Sequence, residues 1–362
     1  MCIKAFRPVH YSPIRFFTSS SSRFTSYGFI GLGEMGQHMA RHIYGKLDKT
    51  DKLYVYDINP NTCEKFMHFN KKDKPENTEL LKQLSSVKSF VNEVDEQLDF
   101  IVTMVPEGNH VKEVTQELIS EHLKSKRQAN KGTVLVDSST IDIPTSREIH
   151  QYVKSNIGHF DFIDAPVSGG VAGARKGTLS FMLSRADHKA IPSSLLVLLE
   201  KMGKNIFPCG SQHGSGLAAK LSNNYLLAIT NLAVADSFQL AKSFGLKLQN
   251  YAKLVAKSTG KSWASVDNCP IPGTYPKEDQ LPADSHYEGG FITKLTRKDL
   301  VLAVQSARAN NRFLLMGDLG QYWYDKACKE ENIANRDLGV LYEWSENIEG
   351  DDFLNKGDMH GH

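Results

Sequence analysis

The sequence predicts an α/β chain: a mostly parallel sheet with helices on both faces, then an all-helical part joined to it by a long helix. Three observations predict it. Short apolar runs alternate with segments of helical periodicity as far as about residue 210. A glycine-rich turn, Gly31-Leu32-Gly33-Glu34-Met35-Gly36, joins the first apolar run to the first helical segment. Beyond Gly210 the period-two runs disappear, and only the helical period of about 3.6 residues remains.

The elements follow in order. YGFIGLG is an apolar run that ends in glycine, and EMGQHMARHIYGKL repeats its apolar residues at helical spacing. KLYVYDINP ends in an acid and a turn signal. DFIVTMVP and GTVLVDSST are further buried-strand candidates, and FDFIDAPVSGG, TLSFMLS and NIFPCG extend the series. Strands alternating with helices imply a parallel sheet covered on both faces. Residues 215–244, 246–258, 290–311 and 313–329 read as helices. Between them, 268–290 (NCPIPGTYPKEDQLPADSHYEGG) is a loop long enough to be functional or mobile. The chain divides into a sheet domain at 27–210 and a helical domain at 211–348, with a polar, disordered tail at 349–362.

Residues 1–26 stand apart. They hold Lys4, Arg7, Arg15 and Arg23, many serines and threonines, and no acid. That is the make-up of a mitochondrial transit peptide, and it places the mature chain in the matrix.

Composition narrows the function classes. The chain is 40% hydrophobic and 23% charged, ordinary for a soluble globular protein. A formal net charge of +2 gives no broad field for nucleic acid or an anionic membrane. No apolar run reaches the roughly 18 residues of a membrane span. Cys2, Cys63, Cys209, Cys269 and Cys328 show no paired spacing, so neither a metal site nor a disulfide framework is indicated.

The glycine turn gains meaning from its context. It is a G-x-G-x-x-G between a strand and a helix, and Asp57 ends the next strand 21 residues after Gly36. That is the Rossmann-type dinucleotide fingerprint. Gly31 permits the tight turn, Gly33 lets a pyrophosphate reach the backbone, and Gly36 permits close helix–strand packing. The amides of Leu32, Glu34 and Met35 belong to the same cradle, at a helix N-terminus that favours anions. A carboxylate at Asp57 accepts from both ribose hydroxyls and repels a 2′-phosphate, which favours NAD over NADP. In an open parallel sheet the ligand lies beyond the strand ends. Val105 and Pro106, and also Thr140, therefore belong to the same crevice.

Two further stretches carry chemistry. In DAPVSGGVAGARKGTL (164–179), Ser168, Gly169 and Gly170 turn successive amides towards one point, a nest for a small carboxylate. In GSGLAAKLSNN (214–224), Lys220 and Asn224 are one turn apart on a largely apolar helix. A buried amine has a lowered pKa and exchanges protons near neutrality. On spacing alone, a solvated lysine reads equally well.

With these four stretches, GFIGLGEMGQHMA (28–40), DAPVSGGVAGARKGTL, GSGLAAKLSNN and KDLVLA (298–303), the chain resembles the β-hydroxyacid dehydrogenase family over about 27–348. DSSTID (137–142) and NCPIPG…EGGF (268–291) are similar to one branch of it. The resemblance implies a small 3-hydroxy acid substrate and Lys220 as general acid/base assisted by Asn224. It also implies Ser168, Gly169 and Gly170 on the substrate carboxylate, and Lys298 at the nicotinamide side of NAD. Without it, Lys298-Asp299 reads as a solvated helix pair. Trp263 reads either as a wall of the substrate pocket or as a core residue. MVPEGNH (104–110) departs from the branch, which leaves the cofactor contact of Asn109 or His110 open. The apolar helical surface suggests a homodimer or homotetramer. Related semialdehyde reductases acting on tartronate or succinic semialdehyde or glyoxylate, and a nucleotide-binding scaffold without turnover, are the rival readings.

Overall fold

A computed structural model describes residues 25–125, 132–276 and 281–348. The leader reading falls almost wholly on residues 1–24, and the tail reading on 349–362; both lie outside the described residues. The fold starts slightly earlier than composition placed it. Ser26, assigned above to the leader, is buried in the first strand, and its amide donates to Asp99 Oδ2 at 3.0 Å.

Six strands form one sheet: β1 (Ser26–Ile30), β2 (Lys52–Tyr56), β3 (Leu81–Gln83), β4 (Phe100–Thr103), β5 (Thr133–Asp137) and β6 (Phe160–Asp164). Their order is β3-β2-β1-β4-β5-β6, and every pairing is parallel. The strands are short and almost wholly apolar because helices cover both faces. Phe29, Val55, Val102 and Val136 are fully buried. The order reverses between β1 and β4, which opens a crevice at their carboxyl ends.

The covering helices are α1 (Gly36–Gly45), α2 (Pro60–Asp73), α3 (Ser89–Asn92), α4 (Gly108–Ser125) and α5 (Ile143–Asn156). Local chemistry starts two of them. Asn59 accepts from Asn61 N at 3.1 Å with Pro60 opening α2, and Asp142 accepts from Thr145 N at 2.8 Å ahead of α5. On α1, Met39, Ala40, Ile43 and Tyr44 face the sheet and are buried.

The last three strands do not extend this sheet. β7 (Val167–Ser168), β8 (Leu179–Leu183) and β9 (Gly203–Pro208) form a separate one, with β7–β8 antiparallel and β8–β9 parallel. Only residues 169–178 join β7 to β8, including the short helix α6 (Gly170–Lys176). A parallel crossover takes about a dozen residues or more, so this link turns the chain back on itself. Helix α7 (Ser193–Met202) supplies the longer link needed for β9.

Helix α8 (Ser215–Ser243) then runs through the molecule. Leu217 and Leu221 belong to the core beneath the six-stranded sheet, Ala228 to a second core, and Val234 and Phe238 to a third. One helix thus ties the sheet-bearing half to the helical half. The latter contains α9 (Leu248–Val255), α10 (Thr293–Ala309), α11 (Gly317–Ala327), α12 (Glu331–Ala334) and α13 (Leu341–Ser345). The described parts of the 268–290 loop are anchored rather than loose. Asp337 accepts from Asn268 Nδ2, Gly339 N and Phe291 N, each at 2.8 Å, and Tyr287 donates to Pro270 O at 2.8 Å. Among the described residues no helix is long and apolar enough to cross a membrane, and no group of three or more His, Cys, Asp or Glu side chains is placed to hold a metal.

Candidate active site

The glycine turn has the geometry its sequence implies. Gly31 adopts φ +95°, and a Cβ there would fall on the carbonyl of Met104, the residue that follows β4. A Cβ on Gly36 would fall on the Gly31 carbonyl oxygen. Nothing lies within 4 Å of a Cβ built on Gly33, so this glycine faces open space. Gly33 and Glu34 are exposed, Met35 is half-buried, and Leu32 is fully buried beneath them. Two glycines are therefore required by packing and one is left open to a ligand, the pattern a dinucleotide cradle needs.

Asp57 sits where β2 ends. Its Oδ2 accepts from Leu32 N at 2.7 Å and its Oδ1 from Asn59 N at 2.8 Å. The carboxylate is thereby fixed against the cradle, half-exposed.

On the other side of the crevice, Val105 N donates to Ser139 Oγ at 3.0 Å, which holds the ends of β4 and β5 together. Lys298 of α10 crosses from the helical half and donates to Thr140 O at 2.8 Å and Pro106 O at 3.3 Å. Three residues placed separately from sequence, Pro106, Thr140 and Lys298, are thus in direct contact. The reading of Lys298-Asp299 as a solvated pair is corrected: Asp299 is 3% exposed, because α10 packs this face on α8.

Asp299 organises the lysine site. Asn224 donates to Asp299 Oδ2 at 2.6 Å, and Lys298 Nζ lies 3.4 Å from Asp299 Oδ1. Lys220 is only 7% exposed. Burial pushes its amine below the ordinary lysine range; the Asp299 carboxylate opposes that shift and Lys298 reinforces it. A solvated Lys220 is therefore excluded. Asn224 is held by Asp299, which fixes its amide before any substrate arrives.

A second carboxylate sets the start of α8. Asp164, fully buried at the end of β6, accepts from Gly214 N at 3.2 Å and Leu217 N at 3.1 Å. Gly216 N donates to Ser184 Oγ at 3.1 Å, and a Cβ on Gly216 would fall on the Met182 carbonyl of β8. The helix end is pinned one turn before Lys220. Asp164 also lies 3.5 Å from His213 Nδ1; burial lowers the His213 pKa, and the Asp164 carboxylate opposes that shift. Asp137, the register neighbour of Asp164 on β5, accepts from Thr103 Oγ1 at 2.8 Å and Ser139 N at 3.1 Å. Burial pushes its carboxyl up to about 6.

Ser168 pairs with Ser180 of β8, and Gly169 and Gly170 adopt φ +129° and +59°. A Cβ on Gly170 would meet nothing within 4 Å, so this turn also presents open backbone. Trp263 is 48% exposed, which excludes the core reading. Asn109 and His110 fall in the first turn of α4; Asn109 is exposed, and His110 Nδ1 is buried without a hydrogen-bond partner.

Sequence reasoning missed Asp299, Asp164 and Asp137. The last two carried a visible signal, since each is an acid closing an apolar run, FDFID and TVLVD. Asp299 carried none beyond its place beside Lys298.

A nucleotide cradle on a parallel sheet, met by a buried amine from a helical half, defines a dinucleotide-dependent dehydrogenase. Residues 26–210 match the family described as the NAD binding domain of 6-phosphogluconate dehydrogenase. Residues 214–344 match the one described as the NAD-binding region of NADP-dependent 3-hydroxyisobutyrate dehydrogenase. The chain is 34% identical to a mitochondrial 3-hydroxyisobutyrate dehydrogenase of Drosophila melanogaster over 87% of this chain and 88% of that one. It is 34% identical to the Homo sapiens protein of the same name over 88% and 86%. A solved Mycobacterium tuberculosis 3-hydroxyisobutyrate dehydrogenase, described with L-serine, superposes with a TM-score of 0.74 at 29% identity, covering 89% of this chain and 99% of that one. The chain belongs to the β-hydroxyacid dehydrogenase family. It is an oxidoreductase of that family with an NAD-binding domain of Rossmann type.

Proposed function

We propose that this chain oxidises 3-hydroxyisobutyrate to methylmalonate semialdehyde with NAD, a step of valine breakdown in the mitochondrial matrix. The observation that carries this reading is the buried Lys220 beside the Asn224–Asp299 pair, joined through Lys298 to the strand ends of the nucleotide crevice.

The residues divide the work. Gly31, Gly33 and Gly36 admit the pyrophosphate, and Asp57 accepts from the ribose hydroxyls. Bound there, NAD supplies the hydride acceptor for the hydroxyl-bearing carbon. Ser168, Gly169 and Gly170 hold the substrate carboxylate and so place that carbon. Lys220, whose pKa burial lowers, takes the hydroxyl proton at Nζ in its neutral form. Asn224 orients the same hydroxyl, and Lys298 fixes the nicotinamide side of the site. Trp263 is assigned to the pocket mouth. The sheet-bearing domain at 27–210 and the helical domain at 211–348 would divide these roles between them. The acid-free leader and the names of the mitochondrial relatives support the location. Exposed Leu226 and Leu240 on α8, and Phe244 directly after it, support a homodimer or homotetramer.

The test is a substrate panel with both cofactors, read by absorbance of the reduced nicotinamide. Fastest turnover of 3-hydroxyisobutyrate with NAD supports the reading. Preference for tartronate or succinic semialdehyde, or glyoxylate, with NADPH would replace it.

A further inference from the structure

Helix α1 starts in the nucleotide turn and helix α6 starts at the Ser168-Gly169-Gly170 turn. Their far ends meet. His42 Nε2 lies 3.0 Å from Arg175 O, and a Cβ on Gly177 would stand 2.8 Å from the His42 ring. Beside this junction, lined by α1, the end of α2 and Arg175, is a half-open cavity of about 370 Å³. Small-molecule sites typically span about 300–1,000 Å³.

Its charge is one-sided. Arg41, Lys46, Lys74 and Arg175 line it, and Asp73 is the one carboxylate among its lining residues. Lys46 donates to Lys201 O and Lys74 to Gly45 O, each at 2.7 Å; these carbonyls fix the two ammonium groups without neutralising them. Arg41 meets Asp73 at 3.0 Å, but both side chains are about half exposed, and such pairs are weak. Among the described residues no carboxylate pairs with Arg175. His38 senses the same field: its pKa is lowered by burial, and then by Arg175 and Arg41. Guanidinium groups in a concave, positive setting match a tetrahedral oxyanion, which they grip through paired hydrogen bonds.

The geometry points to a second ligand site: a small, multiply charged oxyanion of the phosphate type binds in this cavity through Arg41 and Arg175. The cavity runs along the flank of α1 from His38 to Lys46, and no residue of the nucleotide turn (31–36) or of the Ser168-Gly169-Gly170 turn lines it, so it is distinct from the cradle. It needs no assumption about the reaction.

Inorganic pyrophosphate is the probe, titrated calorimetrically into enzyme saturated with NAD so that the cradle is occupied. One site per chain is expected, weakening as salt rises. The double variant Arg41→Gln/Arg175→Gln should bind at least about ten-fold more weakly while keeping its NAD affinity. Asp73→Asn should bind several-fold more tightly, a gain that misfolding does not produce. The proposal is overturned by absence of saturable binding to the NAD-loaded wild type, or by equal affinity in all three proteins.

Discussion

Asn224 donates to Asp299 at 2.6 Å, and this hydrogen bond joins the helix that carries Lys220 to the helix that carries Lys298. Through it, the buried amide of Asn224, the buried carboxylate of Asp299 and the buried amine of Lys220 are linked to the half-buried amine of Lys298. Burial lowers the Lys220 pKa, and the Asp299 carboxylate opposes that shift.

Asp299→Asn tests that opposition. Removing the negative charge lowers the Lys220 pKa further. Oxidation requires the neutral amine, so the acidic limb of kcat/KM should move to lower pH. A pH–rate profile checks this. An unmoved limb, or one moved to higher pH, would show that Asp299 does not act on Lys220.

Asp57→Ala removes a carboxylate that grips both the Leu32 amide and, in the proposed complex, the ribose. A charge-assisted hydrogen bond is worth about 1.5–3 kcal/mol, so the net loss of even one should lower NAD affinity at least roughly ten- to hundred-fold. Discrimination against NADP should fall with it. Equilibrium titration with both cofactors decides; unchanged NAD affinity would detach Asp57 from cofactor selection.

Asp137 predicts a pH-dependent stability. Its folded pKa of about 6 exceeds the unfolded value of about 3.9, so the folded state holds the proton more tightly. Its favourable contribution is complete below about pH 4, falls as pH rises to about 6, and stays lost above. Asp137→Asn cannot ionise. The Tm of that variant relative to wild type should therefore climb between about pH 4 and 6 and then level. A constant difference across that window would mean that Asp137 ionises as it does in the unfolded chain.

Much of the architecture was legible because it rests on local pattern. The strand–glycine–helix start, Asp57 at the end of β2, and the helix containing Lys220 all follow from apolar period and turn residues. Helices read at 215–244 and 290–311 occur as Ser215–Ser243 and Thr293–Ala309. The 246–258 and 313–329 segments form shorter helices, Leu248–Val255 and Gly317–Ala327, since period alone does not mark caps. Other features depended on packing between distant segments. The burial of Asp299 is set by α8, 75 positions away at Asn224. The small mixed sheet follows from the short link after Ser168, which a list of apolar runs does not reveal. Trp263 gave opposite readings from one local sequence, and only its exposure removed one of them.

The central claim is that Lys220 moves the hydroxyl proton, and the most direct measurement is turnover by Lys220→Ala with NAD binding measured on the same preparation. The account predicts a fall of about 10²–10⁴-fold in kcat with NAD affinity near that of wild type. Wild-type turnover in the variant would contradict it.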